Sequence, residues 1–175
     1  PGHRSFTVLR HPVARAHAAY CRLLPSDGPM AQPELRKALV EHYGVALPAE
    51  PVSGENWDRE AHRTGFLGFI DVLRRTLAGQ TALRVAGSWA TQAQVIAGFA
   101  PVVPPDHILR ESHLGPGLAL LCDETGYPLP PLPVTEPETP YAVGEIHDAE
   151  VETAVRAAYQ RDYMQFGFGD WAPGA

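Results

Sequence analysis

The sequence is short of cysteine, long apolar runs and positive charge, and each shortage removes a class of protein. Two cysteines in 175 residues, Cys21 and Cys122, are too few for a disulfide framework. They also lack the C-x-x-C spacing of a zinc site, so we expect two reduced, buried thiols and a reducing, cytoplasmic setting. No apolar stretch approaches the ~18 residues that a membrane-spanning helix needs. A formal net charge of −6 argues against a general nucleic-acid binder, whose surface is ordinarily basic. No internal repeat is present. The first residues, PGHRSFTVL, carry neither an initiator Met nor an apolar signal-peptide core. That start predicts a chain cut from a longer one.

What is present suits one globular domain, with 45% hydrophobic and 19% charged residues. Proline is frequent, at 18 residues beside 16 glycines, and the prolines cluster around residues 101–105 and 128–140, where they punctuate a fold. Residues 5–10 read as a strand. Pro12 suits a helix's first turn, and Val13, Ala16, Tyr20 and Leu24 follow a helical stripe. Turn residues at 25–29 end that helix, and a second is expected from Pro33 to Tyr43, stopped by Gly44. After a loop at 46–55, Asn56 is placed to cap a long helix reaching Ala78. Phe66, Phe69, Ile70, Leu73 and Leu77 form its core face. A short strand is predicted at 95–99 and another at 106–110, then a helix from Leu114 to Glu124. A Pro-rich connection leads to a last helix over 148–163, with Glu150 and Glu152 in its first turns, where the dipole favours them. The order predicts an α/β protein, a parallel sheet flanked by helices with its opening strands missing.

The stretch FTVLRHPVARAHAAY raises the functional question, because a strand there ends in Arg10 just before Pro12 opens a helix. Open α/β sheets bind ligands at such corners, and free N–H groups at a helix start favour an anion. Arg10 adds a planar, always-charged fork suited to phosphate. An arginine before proline is also a common surface residue, so both readings stand on the residues alone.

The same stretch resembles the element of carbohydrate-type sulfotransferases that binds the 3′-phosphate of PAPS (3′-phosphoadenosine 5′-phosphosulfate). That element reads approximately F-x-x-V-R-[DN]-P-x-x-R-x-x-S-x-Y, and Phe6, Arg10, Pro12, Arg15 and Tyr20 match it. Ala18 stands where the family has serine, and His11 where it has Asp or Asn. SWATQ (88–92) is similar to H-W-x-x-Q, with Trp89 and Gln92 kept and Ser88 in place of histidine. DHILRESHLGPGLALLCDETG resembles D-x-[VI]-x-R-[FY]-E-x-L-x-x-D-x-x-x-[LI]-C-x-x-L-G through Asp106, Ile108, Arg110, Leu114, Cys122 and Gly126. Glu111 replaces its aromatic residue and Ser112 its glutamate. AYQRDYMQFGF (158–168) looks like the closing Y-x-x-D-x-x-x-F-G-Y.

The resemblance implies a partial P-loop-type fold of one domain, lacking the first strand and the 5′-phosphosulfate loop. It implies PAPS or PAP (the product, 3′-phosphoadenosine 5′-phosphate) as nucleotide, with Arg10, His11, Arg15 and the Ala18 position around it. Trp89 and Gln92 would face a saccharide acceptor. The catalytic base is expected upstream of Pro1, so this chain alone would supply the 3′-phosphate-binding half and remain inactive. Acceptor contacts are expected from the loops 44–56 and 126–147.

Plainer readings accompany these. Trp89 is equally a core aromatic, Gln92 a partner for buried backbone, and Arg15 a member of a structural ion pair. Asp58, Glu60, Arg74 and Arg75 read as solvated charges, and Asp162 as a local pair. Tyr163, Phe166 and Phe168 read as anchors for the C-terminal segment. The histidines His11 and His17 share no helical face with a carboxylate, so no metal is expected. Losses at 18, 88 and 112 leave room for a non-catalytic binding or scaffold module of the same fold. An ATP-dependent phosphotransferase is a third reading.

Overall fold

A computed structural model describes residues 4–26, 31–48, 56–132 and 140–174. The chain is mixed α/β and mostly helical, with a two-stranded parallel sheet among the described residues. β1 (Phe6–Leu9) pairs with β2 (His107–Arg110), Phe6 opposite His107 and Leu9 opposite Arg110. Between them lie α1 (Pro12–Cys21), α2 (Pro33–Tyr43), α3 (Arg59–Leu77) and α4 (Gln92–Phe99). A 3₁₀ turn (Glu111–His113), α5 (Leu114–Thr125), α6 (Val143–Ile146), α7 (Ala149–Ala158) and α8 (Gln160–Phe166) follow.

The core forms where α3 crosses α1 and α7. The apolar stripe of α3 turns inward as its spacing predicts, with Phe66, Phe69, Ile70 and Leu73 all buried. From α1 come Val13, Ala16 and Tyr20, and from α7 Val151 and Val155. Gly65 lets α3 approach closely, since a Cβ there would overlap Tyr20 Oη and the Ala46 carbonyl oxygen. The sheet is less well covered. Leu9 is buried and Leu109 packs on Gly117 of α5, yet Phe6 and Ile108 are each 48% exposed.

Several boundaries differ from the sequence expectation, each for a physical reason. Residues 95–99 belong to α4 and not to a strand. Three of the first N–H groups of that helix are held by side chains, Gln94's by Thr91 and those of Gln92 and Ala93 by Asp162. These caps override the β-branched pair Val95-Ile96. Asp58, not Asn56, caps α3, its Oδ1 accepting from Ala61 N at 2.8 Å. Asp58 is therefore structural, whereas Arg74 forms a surface pair with Asp71 as expected of a solvated charge. The first helix stops at Cys21, and Leu23 and Leu24 are buried in the turn beyond it. The last helix breaks at Tyr159, which buries its ring and donates its hydroxyl to the Trp89 carbonyl at 2.9 Å. The turn at 25–29, the loop at 46–55 and the Pro-rich connection at 128–140 lie partly outside the described residues. No helix among the described residues is long and apolar enough to cross a membrane.

Candidate functional site

The residues singled out in the sequence meet at the C-terminal end of β1. Arg10 leaves that end, and its backbone is held by Gln92, whose Oε1 accepts from Arg10 N while Nε2 donates to Arg10 O, both at 2.9 Å. Gln92's own N–H goes to Asp162, as does that of Ala93, at 2.8 and 2.9 Å. Asp162 is fully buried and lies on α8, so its pairing spans 70 residues and is not local. A carboxylate at a helix N-terminus also opposes the helix dipole favourably. Arg15 reaches from α1 to the carbonyls of Gly87 and Ala90, at 2.7 and 2.5 Å. Burial lowers its pKa, and Tyr159 and Asp162 pull in the opposite direction. Arg110 donates to the carbonyls of Phe166 and Gly167 at the end of α8 and lies over the Phe168 ring, 4.7 Å from its centroid.

His11 differs most from its expected role. Its Nδ1 accepts from Val13 N, so Nε2 carries the proton and donates to Gly169 O at 3.2 Å. Edge contacts with Tyr163 and Phe168 enclose the ring, and burial lowers its pKa. Both nitrogens are committed, and none remains for a ligand. The start of α1 is correspondingly poor in free donors, because Pro12 has no N–H and Val13 gives its own to His11. An anion here would rely on the guanidinium more than on the helix.

Among the described residues, two buried side-chain nitrogens of this corner make no hydrogen bond, Arg10 Nε and Trp89 Nε1. Glu111 Oε2 lies 2.9 Å from Arg10 Nε, an ion pair by distance without hydrogen-bond alignment. Next to Glu111 opens a cleft of about 210 Å³ lined by Leu9, His11, Arg110, Glu111, Phe168 and Asp170, among others, though not by Arg10. Ala18 is half-buried on α1. Trp89 is buried, stacked on Phe69 at 5.6 Å and 10°, with Nε1 also lacking a hydrogen bond. It does not line the cleft, and Gln92's amide faces Arg10's backbone.

A second cluster was not anticipated. His17 and Cys21 on α1 and His62 on α3 bring possible metal-ligand atoms within 4.8 Å of one another, all buried. The proton positions decide its character. Trp57 Nε1–H, which is a donor only, bonds His62 Nδ1 at 3.2 Å. His62 must then carry its proton on Nε2, which donates to His17 Nε2 at 3.0 Å. His17 then carries its own proton on Nδ1, which lies 3.8 Å from Cys21 Sγ, and the sulfur is 3.6 Å from Nε2. As arranged, these groups form a closed donor relay. A metal would require His62 to change tautomer and lose Trp57. The i, i+4 spacing of His17 and Cys21 was the available signal, but His62 lies 45 residues away.

Burial lowers the pKa of His17 to about 3 and of His62 to about 4. Burial pushes the Cys21 thiol up to about 12, so the sulfur stays protonated and unreactive. Below pH 6.5 an unfolded chain binds protons at these imidazoles that the folded chain refuses, so stability falls with falling pH. We expect a loss of about 4 kcal/mol between pH 7 and pH 5, about 2 kcal/mol from each imidazole, read from denaturant midpoints. His17→Gln, which still accepts the His62 proton, should flatten the slope. An unchanged midpoint over this range would contradict the relay.

No protein-family model, curated protein or solved structure matches this chain.

Proposed function

We propose that this chain is the nucleotide-clamping part of a PAPS-dependent sulfotransferase acting on a hydroxyl of a carbohydrate-type acceptor, with Arg10 holding the 3′-phosphate. The observation that carries this reading is the Arg10 guanidinium, standing at the C-terminal end of a parallel strand with a buried Nε that makes no hydrogen bond. That nitrogen faces the Glu111 carboxylate without hydrogen-bond alignment, and a phosphate oxygen would supply an aligned, charge-assisted bond. The neighbouring motif residues support the seat without touching the ligand. Gln92 fixes Arg10's backbone, Asp162 fixes Gln92, and Arg15 fixes the loop that carries Trp89. In sulfuryl transfer this chain's share would be binding and orientation, because a 3′-phosphate lies away from the transferring group.

One observation favours the alternative, a non-catalytic nucleotide-binding or scaffold module. His11, Arg15 and Gln92 are all engaged with the protein's own backbone. Sulfate transfer by the intact protein to any oligosaccharide would exclude that alternative.

Calorimetry with PAP and AMP tests the nucleotide assignment, since the two share the 5′-phosphate and differ at the 3′ position. A charge-assisted hydrogen bond is worth about 1.5–3 kcal/mol, so PAP should bind at least about tenfold more tightly than AMP. Arg10→Ala should bring PAP to the AMP level. Equal affinities in the unaltered protein would overturn the reading.

A further inference from the structure

Glu111 opens the 3₁₀ turn immediately after β2, and the register that sets Leu9 opposite Arg110 brings it beside Arg10. Its carboxylate lies 2.9 Å from the buried Arg10 Nε, and both side chains are partly open to solvent, at 39% and 47%. An anion approaching this guanidinium therefore meets a carboxylate already beside it. Two anions cannot share one fork without repulsion. Yet the poor alignment makes the internal pair weak, and exposed ion pairs contribute little. The cleft that Glu111 also lines offers the carboxylate somewhere to go.

We propose that Glu111 is an internal competitor for Arg10, occupying the anion seat in the free protein and moving into the adjacent cleft when a phosphate binds. The idea rests on Arg10 being the phosphate-binding residue. Its consequence is selectivity by charge. A terminal phosphate dianion attracts the guanidinium about twice as strongly as a monoanion at equal distance and displaces the carboxylate. A carboxylate or sulfate ester, carrying one charge, gains nothing over Glu111 itself.

The test is calorimetric titration of PAP and AMP into the intact protein, Glu111→Gln and Arg10→Ala. Glu111→Gln is expected to tighten PAP about fivefold, the strong end of what an exposed ion pair contributes, and to leave AMP unchanged. Glu111→Ala should do the same, which separates loss of the charge from any new bond made by glutamine. If Glu111→Gln leaves PAP binding unchanged or weaker while Arg10→Ala still abolishes the PAP preference, the competitor is overturned and the Arg10 seat stands. Equal tightening of PAP and AMP also overturns it, because the effect is then general to negative charge. If the unaltered protein and Glu111→Gln both fail to distinguish PAP from AMP, the phosphate reading falls and the competitor with it.

Discussion

Asp162→Ala should lower stability by about 4 kcal/mol, a large share of what holds a domain of this size folded. The carboxylate is completely buried and receives the N–H groups of Gln92 and Ala93 at 2.8 and 2.9 Å. Each bond to a charged group is worth about 1.5–3 kcal/mol, and their loss leaves two donors facing protein interior. The damage spreads, because Gln92 holds Arg10 and Thr91 alone would then cap α4. For a chain of this size the thermal midpoint should drop by roughly 12 °C. Asp162→Asn keeps one acceptor but sets an amide donor against a backbone N–H, so an intermediate loss is expected. A drop below about 3 °C for the alanine variant would show that α4 does not depend on this carboxylate.

Gly65→Ala is expected to destabilise by about 3 kcal/mol although alanine is the better helix former. The new methyl would overlap Tyr20 Oη and the Ala46 carbonyl oxygen and lie 3.2 Å from Trp57. Tyr20 is wholly buried, and Ala46 is backbone, so neither yields easily. Gly68, one turn later on the same helix, supplies the control. A Cβ there meets only Val45, at 3.8 Å. Gly68→Ala should therefore stabilise by up to about 1 kcal/mol. Denaturant titration of the pair reads opposite signs from the same substitution. If both variants shift in the same direction, the close approach of α3 to α1 is not the constraint.

The helices were the most legible part of the sequence, because a 3.6-residue stripe in α3 and punctuation by Pro12, Pro33, Gly44 and Gly126 are local signals. Of the elements not foreseen, α6 has four residues inside a stretch read as loop, and α4, read as a strand, is short with its start held by Asp162 from the far end of the chain. No window around Val95 contains that partner. The break at Tyr159 has the same origin, since the hydroxyl's acceptor is Trp89. At the site, residue types pointed to one corner but not to the division of labour within it. Arg10, His11, Arg15 and Gln92 all looked able to hold a ligand. Three of them bond the protein's own backbone, and only atomic placement separates a seat from its supports. The histidine relay was invisible because His17 and His62 belong to different helices and their tautomers depend on Trp57.

Gln92 also stands in for a piece of β-structure. Accepting one N–H and donating to one C=O of the same residue is the pairing that a neighbouring strand offers. A side-chain amide thus ends the hydrogen-bonding ladder at Arg10. Gln92→Ala would expose a sticky backbone edge there, and self-association of that variant could masquerade as lost ligand binding.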